Sequence, residues 1–125
     1  MAFFPDLSPH TYTPTFGLDI VNIGWLDEGN AFPIGTTPAE FHDALFELCE
    51  RPIHVDRGVH LCWFCRDLFR NMEGNGQIRV PGKNSVWYAA PALVHHYVTL
   101  HHFLPPTEFI EAVMANRARR PHFVP

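Results

Sequence analysis

Apolar and polar positions alternate at the start of LDIVNIGWL, Leu18–Leu26, which predicts a first strand. The DEGN that follows has the composition of a turn. From Thr37 the period changes. Phe41, Ala44, Leu45, Leu48 and Cys49 recur at one-face helical spacing, predicting a helix from Thr37 to about Cys49. Thr37 suits the N-cap, Pro38 the first helical position and Glu40 the far half of a capping box, while Pro52 ends the helix. This face takes Cys49 into the core as a small hydrophobe.

Further on, QIRV and SVWYAA read as a strand pair joined by PGKN. A short helix at RDLFRNM and a turn at EGNG precede them. Pro91 is expected to open a second helix reaching about Phe103. Pro105 and Pro106 stop it and start a third, PTEFIEAVMANRA, with Phe109, Ile110, Val113 and Met114 facing inward. TPAEFHDAL and PPTEFIEAV look alike as two helix starts that solve one capping problem, because nothing flanking them repeats. Through Pro14 the chain carries Pro5, Pro9 and Pro14 among aromatics, so it should lie on the domain as an extended arm anchored by Phe3, Phe4 and Tyr12. The expected fold is α+β: a small antiparallel sheet packed by about three helices, with a zinc knuckle and a proline-rich N-terminal arm. One domain over 1–125 is expected, with 1–16 as the arm and 117–125 as a C-terminal tail.

Composition narrows the function. With 125 residues, 46% hydrophobic and 18% charged, the chain can bury a real core without obligatory staples. A net charge of -4 argues against a general nucleic-acid binder, which needs a basic face to release counterions. The basic run RARR, Arg117 to Arg120, is explained by favourable charge at a helix C-terminus. No signal peptide is recognisable, and no apolar run approaches the roughly 20 residues that cross a bilayer. Three cysteines make a poor disulfide framework, so a reducing, cytoplasmic compartment is expected.

Two cysteines sit in RGVHLCWFC, Arg57–Cys65, and four of the nine histidines, His95, His96, His101 and His102, cluster on the second helix. Successive helical residues turn by about 100°. With Tyr97 at the centre of the apolar face, Leu93, Val94, Leu100, His101 and Leu104 fall within about 60° of it. His95, Thr99 and His102 land on the far side, so His95 and His102 read as solvated surface. His96 and Val98 stand at the flanks.

A Cys-x-x-Cys turn supplies two thiolates to a tetrahedral ion and needs further ligands from a distant segment. Cys62 and Cys65 are best completed by His101, then His96, with His60 as another donor that an extended backbone can point to the same side. His96 and His101 lie about 140° apart on a regular helix, so both on one ion would require distortion. Two other readings compete. A redox dithiol wants its first cysteine at a helix N-terminus, and CWFC lacks the preceding βαβ unit. Alternatively, Leu61, Cys62, Phe64 and Cys65 simply fill a core, which leaves His60 and Trp63 unexplained.

The segments PDLSPHTY, NIGWLD, RGVHLCWFC, GNGQIRV and YAAPALVHHYVTLHHFLPPTEFIEAV resemble a family of small, uncharacterised bacterial proteins. His60, Cys62 and Cys65 match its H-x-C-x-x-C. His96, Tyr97 and His101 match its H-Y-x-x-x-H, and Pro105 to Phe109 its P-P-x-E-F. The resemblance implies that His60, Cys62, Cys65, His96 and His101 form one constellation, and it supplies no activity. Such proteins often carry tyrosine where this chain has Phe103, which removes a phenol from any role there.

The residues therefore point to a small zinc-binding protein that works by contacting another protein, as adaptors and immunity-like modules do. The alternative is a zinc hydrolase or deaminase-like enzyme with an open metal position. The H-x-E with P-C-x-x-C of zinc deaminases and the H-E-x-x-H of zinc proteases are both missing. Glu40 and Glu108, the conspicuous carboxylates, are accounted for by helix starts.

Overall fold

The computed structural model describes residues 3–11, 15–27, 29–53, 62, 64, 65 and 76–118. The elements run β1 (Asp19–Asn22), α1 (Ala39–Cys49), β2 (Gln77–Pro81), β3 (Val86–Pro91), α2 (Val94–Leu100) and α3 (Thr107–Ala118). This is the expected α+β composition: three helices against one small sheet.

The hairpin forms as predicted, with Ile78 opposite Ala90 and Val80 opposite Tyr88. Asn84 and Ser85 turn it at φ 57° and 62°, with the Val86 N–H donating to the Lys83 carbonyl at 3.2 Å. Two successive left-handed residues define a type I′ turn, whose twist matches the strands it joins. The sheet is mixed rather than wholly antiparallel, because β1 joins β3 in parallel, giving the order β1–β3–β2. Alternation identifies a strand but not its direction. Here α1 lies in the connection from β1 to the hairpin, and the chain returns to run alongside β1 in the same sense.

Both sheet edges are covered. The N-terminal arm runs antiparallel to β1: the His10 N–H donates to the Ile20 carbonyl at 2.9 Å and the Asn22 N–H to the Ser8 carbonyl at 2.8 Å. Phe4 anchors the arm edge-on to Trp25, with centroids 5.4 Å apart, whereas Tyr12 lies outside the described residues. At the opposite edge Ile53 exchanges two backbone hydrogen bonds with Gln77. Covered edges remove the template for unwanted strand pairing. The DEGN turn forms around Asp27, whose Oδ1 accepts from the Gly29 N–H at 3.1 Å and Asn30 Nδ2 at 2.8 Å.

Helices α1 and α3 begin alike. The Pro38 carbonyl accepts from the N–H groups of Phe41 and His42, and the Pro106 carbonyl from those of Phe109 and Ile110. The P-A-E-F and P-T-E-F starts thus put Phe41 and Phe109 at matching positions, and the two rings meet edge to face at 6.3 Å. The expected capping box does not form. Pro38 occupies the N-cap, and the Thr37 hydroxyl is hydrogen-bonded to His42 Nε2 at 2.6 Å instead. On α3 the inward set is Phe109, Ala112 and Val113, with Ile110 and Met114 packed at its margin. Arg117, in the last turn of α3, pairs with Glu47 of α1 at 3.0 Å.

The second helix is shorter than predicted. Pro91 closes β3 instead of opening a helix, and α2 ends at Leu100. Its fully buried stripe is Val94, Tyr97 and Val98, rotated toward Val98, so Leu100 is left 45% exposed. His102 takes φ 57°, and Phe103 bridges Ile34 while Leu104 donates to the Pro33 carbonyl at 2.9 Å. These strand-like bonds draw the chain out of the helix three residues before the pattern does. Gly24 (φ 75°) lies under α2, where a Cβ would meet Val94 Cγ2 at 2.9 Å. The predicted RDLFRNM helix falls outside the described residues.

Candidate metal centre

The end of α2 decides the geometry of the site. His101 occupies the C-cap at φ -109° and ψ 6°, while its N–H still donates to the Tyr97 carbonyl at 3.1 Å. That departure from helical φ supplies the distortion that a shared site requires, so His96 and His101 face each other although a regular helix separates them. Their rings stand 4.9 Å apart at 75°, with the Nε2 atoms 3.3 Å from one another. Both histidines are therefore in the cluster, not only the favoured His101.

Cys62 and Cys65 come up against this pair. Cys62 Sγ lies 3.4 Å from His101 Nε2, and Cys65 Sγ lies 3.3 Å from His101 Nε2 and 3.2 Å from His96 Nε2. All four donor atoms fall within 4.8 Å of one another, an arrangement that can hold a metal ion. Three neighbours at nearly equal distance around His101 Nε2 are not a hydrogen-bonding pattern, since one ring nitrogen carries at most one proton. Cys62 and His96 are buried, and Cys65 and His101 are partly so. His60 lies outside the described residues.

Aromatic rings wall the centre. Phe64, between the cysteines, stacks obliquely on His101 at 5.3 Å and meets Tyr97 edge-on at 5.9 Å. Phe32 links Phe64 to Phe103, with centroids at 5.3 and 6.0 Å. The Tyr97 side chain is fully buried, and desolvation, with the nearby Cys62 sulfur second, pushes its phenol well above the usual range. Its hydroxyl has no hydrogen-bond partner among the described residues.

The remaining histidines sort differently. His102 is exposed, as expected. His95 is half-buried rather than solvated: its ring lies 5.1 Å from Phe46, and desolvation, then His42, pull its basicity down against the opposing pull of Asp43. Sequence reasoning overlooked His10. It is buried, donates from Nδ1 to Asn22 Oδ1 at 2.6 Å and stacks on Trp25, pinning the arm. Asn22 Nδ2 donates to Ser8 Oγ and the Pro9 carbonyl, each at 3.1 Å. Only the signal of a polar residue in a strand pattern, Asn22, hinted at this knot.

Among the described residues no helix is long and apolar enough to cross a membrane. No curated protein and no solved structure matches the chain. The family model described as "Domain of unknown function (DUF7919)" matches residues 2–114, in line with the resemblance to an uncharacterised family. The chain belongs to that family, DUF7919.

Proposed function

We propose that this is a zinc-binding protein whose metal, held by Cys62, Cys65, His96 and His101, is structural, and that it acts as an interaction module on another protein. The carrying observation is the convergence of the four donor atoms. A tetrahedral zinc ion with Zn–N of about 2.05 Å and Zn–S of about 2.3 Å puts its ligand atoms about 3.3 Å (N–N) and 3.5 Å (N–S) apart. Four of the six edges have comparable lengths, 3.3 Å between the nitrogens and 3.2–3.4 Å for three nitrogen–sulfur pairs, and the other two lie within 4.8 Å. Mixed thiolate and imidazole donors favour zinc over harder divalent ions.

Four protein donors fill a tetrahedron and leave no position for an activated water, which supports a structural role over the hydrolase or deaminase-like reading. Among the described residues Phe16, 78% exposed, and Ile34, 70% exposed, are the large apolar side chains most available to a protein partner.

Elemental analysis and X-ray absorption, on protein purified without added metal and then loaded with Zn(II), test the reading. One zinc per chain with two sulfurs and two nitrogens is expected. Cys65→Ala and His101→Ala should lose it, and His102→Ala should keep it. A zinc-free protein after loading, or zinc retained in both ligand variants, overturns the assignment. A coordination shell with an oxygen in place of a nitrogen would move the function to hydrolysis.

A further inference from the structure

The three thiols of this chain have unlike surroundings. The Cys49 sulfur is desolvated against the core, which pushes its thiol up to about 12 despite a hydrogen bond from the His95 backbone. It lies outside the donor cluster. Cys62 is buried, 5% exposed. Cys65 is the more open of the two cluster thiols, and its sulfur has imidazole nitrogens at 3.2 and 3.3 Å. The Cys62 and Cys65 sulfurs lie within 4.8 Å of each other.

Building on the metal-binding reading above, we propose that the centre is redox-released: a hydroperoxide oxidises Cys65 and Cys62 to a disulfide, and the ion leaves. A metal-bound thiol is deprotonated, so it is already the nucleophilic form. The Cys65 thiolate attacks one peroxide oxygen and the O–O bond breaks, giving Cys65 sulfenic acid and, after one proton is taken up, water (an alcohol from an alkyl peroxide). The Cys62 thiolate then attacks the Cys65 sulfur. The S–S bond forms as the S–O bond breaks, and a second proton leaves with the hydroxide as water. Two thiolates lose two electrons and the peroxide gains them.

Geometry couples this chemistry to release. A disulfide holds its sulfurs about 2.05 Å apart, so the pair must close by no more than about 2.8 Å. The product sulfurs carry no charge and two of the four donors are gone. His96 and His101 remain, too few to retain the ion. Release unties Cys62 and Cys65 from the end of α2.

The test uses zinc-loaded full-length protein, graded hydrogen peroxide, a chromogenic zinc indicator and thiol counting after denaturation. The expected result is one zinc freed per chain as two of three thiols disappear, with a Cys62–Cys65 disulfide in the peptide map. Dithiothreitol plus zinc should restore the starting state, and Cys49→Ala should release zinc at the same stoichiometry. Zinc retained while thiols are lost, a map showing Cys49 in the disulfide, or sulfinic acid without a disulfide overturns the inference and leaves metal binding intact. Failure of the protein to load zinc at the outset overturns the binding reading itself, and this inference with it.

Discussion

The Tyr97 hydroxyl is a buried polar atom with no hydrogen-bond partner among the described residues, one bond away from a ring that packs the core beside Cys62. Leaving such a group unpaired costs about 1–3 kcal/mol. Tyr97→Phe keeps the ring, so the zinc-loaded variant should be more stable by about 1 kcal/mol in denaturant unfolding. A loss of that size would mean the hydroxyl has a partner. Asp6 makes a similar point with a charge. Burial raises its carboxyl above the usual value, against the lowering effect of the Gly24 N–H that its Oδ1 accepts at 2.9 Å. A carboxyl raised by folding contributes stability below its unfolded value, 3.8, and that contribution is lost as pH rises through the folded value. Asp6→Asn keeps the acceptor and removes the charge. Its melting temperature should therefore exceed the parent's at pH 7 and converge with it below pH 3.8. An advantage that persists unchanged in acid would assign the effect to something other than the charge. None of this was legible in the residues themselves, because exposure and partners decide what a tyrosine or aspartate is worth.

At the scale of elements, pattern predicted type better than extent. The hairpin strands, α1 and α3 follow their periodicities closely. The hairpin turn carries a local cost that pattern reading does not price: Ser85 sits at φ 62°, a conformation costing a non-glycine residue about 1–2 kcal/mol. Ser85→Gly should raise the unfolding free energy by about 1 kcal/mol in denaturant titration, while Gly24→Ala, strained at φ 75° and crowded by Val94, should lose roughly 2–4 kcal/mol. A Ser85→Gly variant no more stable than the parent, or a Gly24→Ala variant as stable as it, would show that those left-handed positions are not held as described. The helix α2 departs from its pattern for a tertiary reason. Across the Ile34–Phe103 bridge the Gly35 N–H donates to the His102 carbonyl and the Leu104 N–H to the Pro33 carbonyl, and those bonds compete with the last helical turn. The same competition that shortens α2 turns His101 toward His96.

For the whole molecule, the donor cluster joins Cys62 and Cys65 to the C-terminal end of α2 at a core that includes Cys62 and packs Phe64 and Cys65 at its margin. Zinc buffered at 1,000 times its dissociation constant stabilises a folded state by about 4 kcal/mol. Removal by a chelator should lower the melting temperature by roughly 10–20 °C, measured by calorimetry with and without re-added zinc. A melting temperature that ignores the chelator would mean the core holds without the ion. The sheet also buries more than its pattern suggests. Gln77 and Arg79, on the strand face opposite Ile78 and Val80, are 2% exposed, with Arg79 Nη2 donating to Gln77 Oε1 at 3.0 Å. Alternation records polarity, not what lies above the sheet, so it does not reveal that this polar face is buried.

The sequence by itself determined the α+β class, the hairpin and the two proline-led helix starts, and it singled out Cys62, Cys65, His96 and His101 as candidate ligands that the fold brings together. Each follows from local rules, namely periodicity, proline geometry and the spacing of thiols and imidazoles, which hold wherever the chain lies. Tertiary structure decided the parallel pairing of β1 with β3, the end of α2 at Leu100 and the meeting of His96 with His101. Those outcomes turn on backbone groups choosing between partners distant in sequence. No period within a helix or strand encodes that choice, because both alternatives satisfy the same local pattern.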